Sequence, residues 1–505
     1  MTAIASLPEL LVRVDGAALN EGERRPLSAL RIRQRLSVPT QAELTFVDPP
    51  STFDVGRRLQ PGTQLQVGLA ADGTALFEGE TTVVEHVYEG DRGVVVRVRA
   101  YDLLHRLRKR QQVRTFAQLT PAELAEQLAG AVGLDVDVAE SGPRWPQITQ
   151  HAQSDLELLQ EVTARAGLFF TVHDGALHLI TLEGAGDEIR LELGRNLWQA
   201  RTEVNAERAA RRVVALGWDP RRIDVHREEA GDARTSRDVG ASVTATQVGG
   251  SDERVLAHVG APTADLTRGE AQAELDVRSA GEVTLWGVAE GDHRIRPGTP
   301  VRVDDTAPGL AGRYVVTSAT HTVGEPGFLT EFSTEPTRDR RTDRPAALAP
   351  GRVVDVDDPE QLGRVKVHLP TFDDAPTEWL QVVLSGAGAG KGLVALPDVD
   401  DRVLVALPHG DPARGVVVGG LYGSEPAPDA GVQDGRVRRY TFTTRAGQRI
   451  VLDETADRVR VQNAAGSFVE LTPDQVRLHA ACDLLIEAPG KRITVVADAI
   501  DLERG

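Results

Sequence analysis

The chain has 505 residues and a formal net charge of −18 at pH 7, a length that suits roughly two to four domains with cores of their own. The acidic balance argues against a nucleic-acid partner, and the single cysteine, Cys482, excludes an internal disulfide framework. The N-terminus lacks a basic start followed by a long apolar run, so we expect no signal peptide and synthesis in the cytoplasm.

Residues 1–335 mix alternating strands with a few helices. A capping box predicts a helix start at Thr120 and another at Ser154, because each has a glutamate three residues later that can bond back to the backbone. Directly after the second helix, two apolar runs flank the sequence His-Asp-Gly at residues 173–175, which is typical of a tight hairpin.

Residues 336–350 are first charged and then rich in proline and alanine, without an apolar period, which indicates a linker. Residues 351–422 follow as five short strands joined by proline, glycine and aspartate turns. This pattern is typical of a small Greek-key barrel such as the OB-fold. Residues 423–435, which contain Pro426 and Pro428, are predicted to be a second linker.

Residues 436–505 contain short apolar pairs at near-regular spacing, each with one polar or small residue between its members. Such strands bury one face only, and a single chain cannot close a core from them, because each is short and both edges of the ladder stay unpaired. The simplest closed arrangement is three intertwined chains wound about one axis, with the apolar pairs pointing inward. Its predicted trimer core consists of Ile450, Leu452, Val459, Val461, Val469, Leu471, Val476, Leu478, Leu484, Ile486, Ile493, Val495, Ile500 and Leu502. The residues predicted on or near the outside are Arg458, Arg460, Glu470, Arg477 and Glu487.

Eight short runs keep a fixed order in the predicted barrel. They are GRVVD at 351–355, DP at 358–359, LGRVKV at 362–367, EWL at 378–380, LP at 396–397, DRVLV at 401–405, GDP at 410–412 and VVVGGLY at 416–422. In this order they resemble the OB module of VgrG-type spike proteins and of contractile-phage baseplate spikes. The first segment resembles the hub domain that precedes this module, and the last resembles the trimeric needle of the same family.

The resemblance implies a mainly β chain with a minor α+β part: a β-barrel-type hub, an OB barrel and a trimeric β-helical needle. It also implies a function, that of a structural hub and puncturing spike at the tip of the inner tube of a contractile injection system. Such a protein nucleates baseplate assembly and pierces the target envelope mechanically. It works within a contractile particle, which either stays in the cytoplasm or is released from the cell.

The implied partners are two further copies of the chain, the inner tube protein, baseplate proteins and a PAAR-type tip protein. Effectors can travel in the tube or on the tip, and a membrane is met only during puncture. The predicted tip contact consists of Asp501, Leu502, Glu503, Arg504 and Gly505. The acidic balance of the hub further predicts basic patches on its tube and baseplate partners.

Three motifs are candidates for nucleotide binding, hydrolysis or metal binding, and none of them predicts such a site. The glycine-rich run at 385–392 departs from the Walker pattern at both ends, and the HGDP run at 409–412 lacks a nearby nucleophile. His173 and His178 bracket a hairpin but have no third ligand for a metal. We therefore expect no enzyme activity, no cofactor and no metal.

One alternative is a carbohydrate-binding or glycan-cleaving component of a phage tail spike, because some phage relatives carry a lysozyme domain between the OB module and the needle. Here that interval, residues 423–435, is too short to hold a domain. A free-standing OB module that binds oligosaccharide or oligonucleotide is a second alternative. The 13 acidic against 6 basic residues in 351–430 disfavour polyanions as its ligands.

Overall fold

The computed structural model describes residues 9–49, 54–70, 73–89, 93–219, 224–257, 260–325, 327–337, 345–423 and 426–501. The chain forms two compact units, Met1–Gly419 and Gly420–Gly505. Strands greatly outnumber helices among the described residues, so the predicted mainly β fold with a minor α+β part is confirmed.

The first unit contains one antiparallel sheet of eleven strands, called here the large sheet. In spatial order its strands are Leu197–Val204, Val283–Glu290, Gly327–Ser333, Ser318–Gly324, Leu27–Arg35, Gln41–Val47, Gly93–Tyr101, Ala75–Glu89, Gln64–Leu69, Leu10–Val14 and Ala17–Ala18. Alternation along the strands divides its faces: Leu30 and Ile32 are buried, while Arg31 and Arg33 are exposed. One face is therefore packed into apolar cores and the other is open to water.

The described residues before the barrel also form four smaller sheets and five α-helices. The helices are Glu21–Arg24, Val55–Arg58, Pro121–Gly130, Asp155–Arg165 and Ala264–Ala280. The smaller sheets consist of Trp145–Gln150 with Arg114–Leu119; Phe169–His173, Ala176–Ile180 and Asp135–Val138; Ile189–Glu192, Pro300–Asp304, Gly312–Val315 and Asp238–Val239; and Asp224–Ala230, Arg212–Asp219 and Glu253–Leu256.

Both predicted helix starts are confirmed. The side chains of Thr120 and Ser154 each accept a hydrogen bond from the backbone amide three residues on, and the glutamate at that position completes a capping box. The longest helix, Ala264–Ala280, was missed by the sequence analysis. Its buried face includes Glu270 and Asp276, and such charges interrupt the apolar period by which a helix is recognised.

The predicted hairpin is also confirmed. Phe169–His173 pairs with Ala176–Ile180, and the turn residues Asp174 and Gly175 have φ values of 52° and 78°. Positive φ at both positions matches the right-handed twist of the two strands, which is why Asp-Gly is a strong hairpin signal.

The OB barrel is a sheet of six strands with its own core. In spatial order they are Ala375–Pro376, Lys366–Leu369, Ala347–Asp355, Arg402–Leu407, Val416–Gly420 and Gln381–Val382. The first of them in the chain begins at Ala347, inside the predicted linker 336–350. Residues 347–350 extend the strand because they pair with Arg402–Leu407. Local composition does not predict this pairing.

The second unit contains a short hairpin, Val432–Gln433 with Arg436–Val437, and a five-stranded antiparallel meander called here the C-terminal sheet. Its strands, in spatial and chain order, are Arg439–Thr443, Arg449–Asp453, Arg458–Gln462, Phe468–Leu471 and Val476–His479.

The strands predicted around residues 484–486 and 493–495 do not form within the single chain, and Leu502 of the strand predicted around 500–502 lies outside the described residues. The described residues after Val476–His479 contain no strand. A strand requires a hydrogen-bonded neighbour, and the described part of the chain offers none to this stretch. The apolar alternation that suggested these strands concerns side chains only, and it carries no information about whether such a neighbour exists.

Candidate functional site

The C-terminal sheet has one apolar face, crossed by two rows of side chains. Each row takes one residue from every strand, because directly paired residues of antiparallel strands point to the same side. One row is Phe442, Ile450, Val461, Val469 and Leu478, and the other is Tyr440, Leu452, Val459, Leu471 and Val476. These residues are 39% to 72% exposed. The first row lines part of an open groove of about 590 Å³ that the described residues leave unfilled.

The opposite face of the C-terminal sheet is charged and internally paired. Arg460 donates a hydrogen bond of 3.1 Å to Glu470, and its guanidinium group lies 3.8 Å from the ring centroid of Phe468. Arg439 donates to both carboxylate oxygens of Asp429 at 2.6 and 2.7 Å, and this contact holds the pKa of Asp429 well below its usual range. This face is suited to water as it stands.

The apolar face of the C-terminal sheet is not suited to contact with water. Burying one Val, Leu, Ile or Phe side chain stabilises a protein by about 1.5–3 kcal/mol relative to leaving it exposed. Scattered exposed apolar residues are normal, but a continuous patch marks a surface that meets another molecule. The arrangement is half of a hydrophobic core, and its other half has to come from outside these five strands.

The predicted trimer-core residues fall into three groups. Those in the two rows are Ile450, Leu452, Val459, Val461, Val469, Leu471, Val476 and Leu478. Those that are exposed outside any strand are Leu484, Ile486, Ile493, Val495 and Ile500. The third group is Leu502, which lies outside the described residues. In the predicted tip contact, Asp501 is exposed, and Glu503, Arg504 and Gly505 also lie outside the described residues.

The sequence analysis missed one strand of this face, Arg439–Thr443, which contributes Tyr440 and Phe442. The signal was present, because two aromatic residues at alternate positions are typical of a strand with one apolar face.

The three motifs considered for chemistry belong to the first unit, and the apolar face belongs to the second. The glycine-rich run at 385–392 is an exposed loop. His173 and His178 stack with 3.6 Å between ring centroids, and each Nδ1 faces a neighbouring carboxylate at 2.9 or 3.0 Å. Burial lowers the pKa of His173 to about 4. Among the described residues, no three His, Cys, Asp or Glu side chains are placed to hold a metal ion.

Two partly buried arginines join the OB barrel to the rest of its unit. Arg165 and Arg414, the latter from the barrel, both donate to the backbone carbonyl of Gly260. Arg165 also donates to Glu270 at 2.5 Å and lies over the ring of Trp145 at 4.4 Å. Burial lowers the pKa of both guanidinium groups. These contacts between residues far apart in sequence thus fix the barrel to the rest of the first unit.

Two of the runs that carry the family resemblance contain ion pairs. Asp358, in the DP run, accepts hydrogen bonds of 2.6 and 3.0 Å from the buried side chain of Arg364, and this contact lowers the pKa of Asp358. Asp411, in the GDP run, accepts a 2.6 Å bond from Arg414 and holds it toward the junction. Both aspartates therefore have structural roles, which sequence reasoning left unassigned.

Comparison with known protein families gives two matches. Residues 349–422 match the family described as the type VI secretion system/phage-baseplate injector OB domain. Residues 5–325, more than half of the chain, match the family described as the Alg8 N-terminal domain. None of the curated proteins matches this sequence.

Solved structures show the same fold at low sequence identity. An Escherichia coli component of the type VI secretion system, itself structurally similar to the T4 bacteriophage tail proteins gp27 and gp5, is 14% identical with a TM-score of 0.53, over 82% of this chain and 100% of that one. A chain of the lidded Francisella PdpA–VgrG complex is 8% identical with a TM-score of 0.56, over 94% of this chain and 80% of that one. At such identities the likeness concerns the fold alone.

The described residues contain no helix that is long and apolar enough to span a membrane. The injector OB match and the hub-and-spike fold confirm the resemblance found in the sequence and give the chain a structural role in a baseplate or spike. Because the larger match covers more than half of the sequence, the chain belongs to the Alg8 N-terminal domain family, and its injector OB domain and its fold resemble those of VgrG-like spike proteins.

Proposed function

We propose that this chain is the hub and puncturing spike at the tip of the inner tube of a contractile injection system, and that it acts as a homotrimer. The observation that carries the proposal is the uncovered apolar face of the C-terminal sheet, in a chain whose OB domain is of the injector type. Three copies arranged about one axis can turn these faces inward and bury them against each other. Their charged faces then lie in water.

The proposal assigns one part to each segment. Residues 1–335 form the hub, which meets the inner tube and baseplate proteins, residues 347–422 form the OB domain, and residues 436–505 form the needle. The segments that connect them end earlier than the sequence predicts, at the barrel strand that begins at Ala347 and at the hairpin that begins at Val432. The last five residues contact a PAAR-type tip protein, and effectors travel on that tip or in the tube.

The action we propose is mechanical rather than enzymatic. Burying apolar faces between chains means that unfolding one needle segment requires its separation from two others, which raises the barrier to unfolding under load. Assays of peptidoglycan, nucleotide and peptide hydrolysis should give background rates. Loss of the protein should abolish particle assembly, because the hub nucleates the baseplate.

The test is the mass of the purified chain in solution. Light scattering should give a mass close to three times 54.4 kDa for the full chain, and a monomer after deletion of residues 436–505. The matched control is Arg477→Ala, on the charged face of the same sheet, which should stay trimeric. A full-length chain that is monomeric and folded at micromolar concentration would contradict the proposal.

A further inference from the structure

The open face of the large sheet carries a row of arginines on its strand Leu27–Arg35. Arg31, Arg33 and Arg35 occupy alternate positions and are all exposed. Within the described residues, none of the three has an ion pair or a side-chain hydrogen bond. We call these three residues the arginine stripe.

Other arginines on the same face are engaged. Arg99 donates to Glu43 at 3.0 Å and to Glu85 at 3.1 Å, and Arg97 lies 3.5 Å from Glu85. Glu43 is the cross-strand neighbour of Arg31, yet its carboxylate is bound to Arg99. The nearest acidic group is thus already used, and the charge of the stripe remains uncompensated.

The strand on the other side of the stripe offers hydroxyl groups. Ser318, Thr320 and Thr322 are the cross-strand partners of Arg35, Arg33 and Arg31, in that order. These side chains point to the same open face as the arginines, because directly paired residues of antiparallel strands share a face. Guanidinium and hydroxyl donors therefore stand side by side over two adjacent strands.

We propose that the arginine stripe binds an extended acidic segment of a protein partner, with carboxylates at alternate positions. Alternate residues of a strand are about 6.8 Å apart, so an extended segment repeats its carboxylates at the spacing of the stripe. A guanidinium group binds a carboxylate with two parallel hydrogen bonds, which gives direction as well as charge complementarity. The hydroxyl groups can supply further donors.

A protein segment fits this face better than a nucleic acid or a lipid surface. Glu43 and Glu85 flank the stripe on one side, and Glu331 lies two strands away on the other. A broad polyanion would contact these carboxylates, and the net charge of −18 would repel it. A narrow segment contacts the stripe alone. The inference does not depend on the proposed trimer. The partner segment is acidic, whereas the acidic balance of the hub predicts basic patches on its partners.

The test uses the full chain and a labelled peptide of alternating threonine and glutamate with three glutamates. Fluorescence anisotropy is measured at about 10 mM salt, where charges act over about 30 Å, and again at higher salt. The triple variant Arg31→Gln/Arg33→Gln/Arg35→Gln should bind the peptide about tenfold more weakly, as loss of three exposed ion pairs predicts. The corresponding Arg→Lys variant, which keeps the charge, should bind with intermediate affinity.

The matched control is Arg13→Gln/Arg25→Gln/Arg57→Gln, which removes the same charge from three exposed arginines elsewhere in the unit. At about 0.1 M salt, where charges act over only about 10 Å, it should bind within about twofold of the unchanged chain. Equal weakening in the control, or equal binding of a peptide with glutamine in place of glutamate, would overturn the inference. Tighter, stripe-dependent binding of oligothymidylate or phosphatidylglycerol vesicles would overturn it as well, by assigning the stripe to another class of partner.

Discussion

The OB barrel and the C-terminal sheet are built from strands of similar length and similar alternation, yet only the barrel closes a core within one chain. Val403 and Val405 of the barrel are fully buried, whereas Val459 and Val461 of the C-terminal sheet are 39% and 49% exposed. The barrel strands wrap around one another, so apolar side chains from non-neighbouring strands meet. The C-terminal strands follow one another in a simple meander, so their apolar sides face one way.

This difference teaches that alternation predicts which face of a strand is apolar, while topology decides whether the same chain covers it. In the barrel, directly paired residues can lie far apart in sequence, as Ala347 and Leu407 do. In the C-terminal sheet, every neighbour is the next strand along the chain, and a sheet of that kind has no second layer.

The sharpest way to break the comparison is the same substitution in both regions. Val403→Asp places an unpaired charge in a closed core and should cost roughly 4 kcal/mol or more, so the barrel should unfold at every protein concentration. Val476→Asp changes a residue that is 72% exposed in the single chain, and should leave the barrel folded while it abolishes the trimer. Thermal melts and light scattering over a concentration series measure the two effects.

Similar, concentration-independent losses of stability in both variants would show that the C-terminal face is packed within its own chain. A Val476→Asp variant that remains trimeric would remove this residue from the trimer core.

The second prediction sharpens the view of the barrel as a self-contained domain. Arg364→Ala leaves the buried carboxylate of Asp358 without its partner and should lower the free energy of unfolding by about 3 kcal/mol or more. The control, Arg352→Ala, removes an exposed arginine that lies 3.3 Å from Asp400 and should cost less than about 1 kcal/mol. Urea unfolding of the two variants measures the difference, and equal losses would contradict the structural role of the buried pair.

The third prediction uses the closed face of the large sheet, where His321 is buried between Thr330 at 3.0 Å and Gln34 at 3.2 Å. Burial lowers the pKa of His321 from 6.5 to about 4, with His293 lowering it further and Asp292 opposing the shift. Between pH 6.5 and pH 4, His321 therefore binds a proton in the unfolded chain and stays neutral in the folded chain. The free energy of unfolding should fall over this window by up to about 3 kcal/mol.

The measurement is urea unfolding of the unchanged chain and of His321→Gln from pH 7 to pH 4. The difference between the two curves should shrink as the pH falls, because glutamine does not titrate. Parallel curves would show that His321 already carries its proton in the folded state, or that it is accessible to water.

The smallest expected effect concerns a feature that is local in sequence. Thr120→Ala removes the side-chain bond to the amide of Glu123 and should cost about 1 kcal/mol. Thr120→Ser keeps a hydroxyl group and should cost a few tenths of that amount. Thermal melting followed by circular dichroism compares them, and equal shifts would indicate that the methyl group, rather than the cap, supports the helix.

The sequence by itself determined the local features of this protein. The helix starts at Thr120 and Ser154 and the hairpin turn at Asp174 rest on hydrogen bonds and φ values set within a few residues. The apolar sides of the C-terminal strands follow from alternation, and the order of short runs in the barrel indicated the injector OB family that residues 349–422 match.

Only the tertiary structure decided which of these features are closed, paired or open. It placed Arg165 and Arg414 on one carbonyl group. It extended a barrel strand to Ala347 through pairing with Arg402–Leu407. It also showed that the described residues after Val476–His479 form no strand within their own chain. The physical reason is common to all three. Caps, turns and alternation depend on neighbours in sequence, whereas pairing, burial and charge compensation depend on residues that folding brings together.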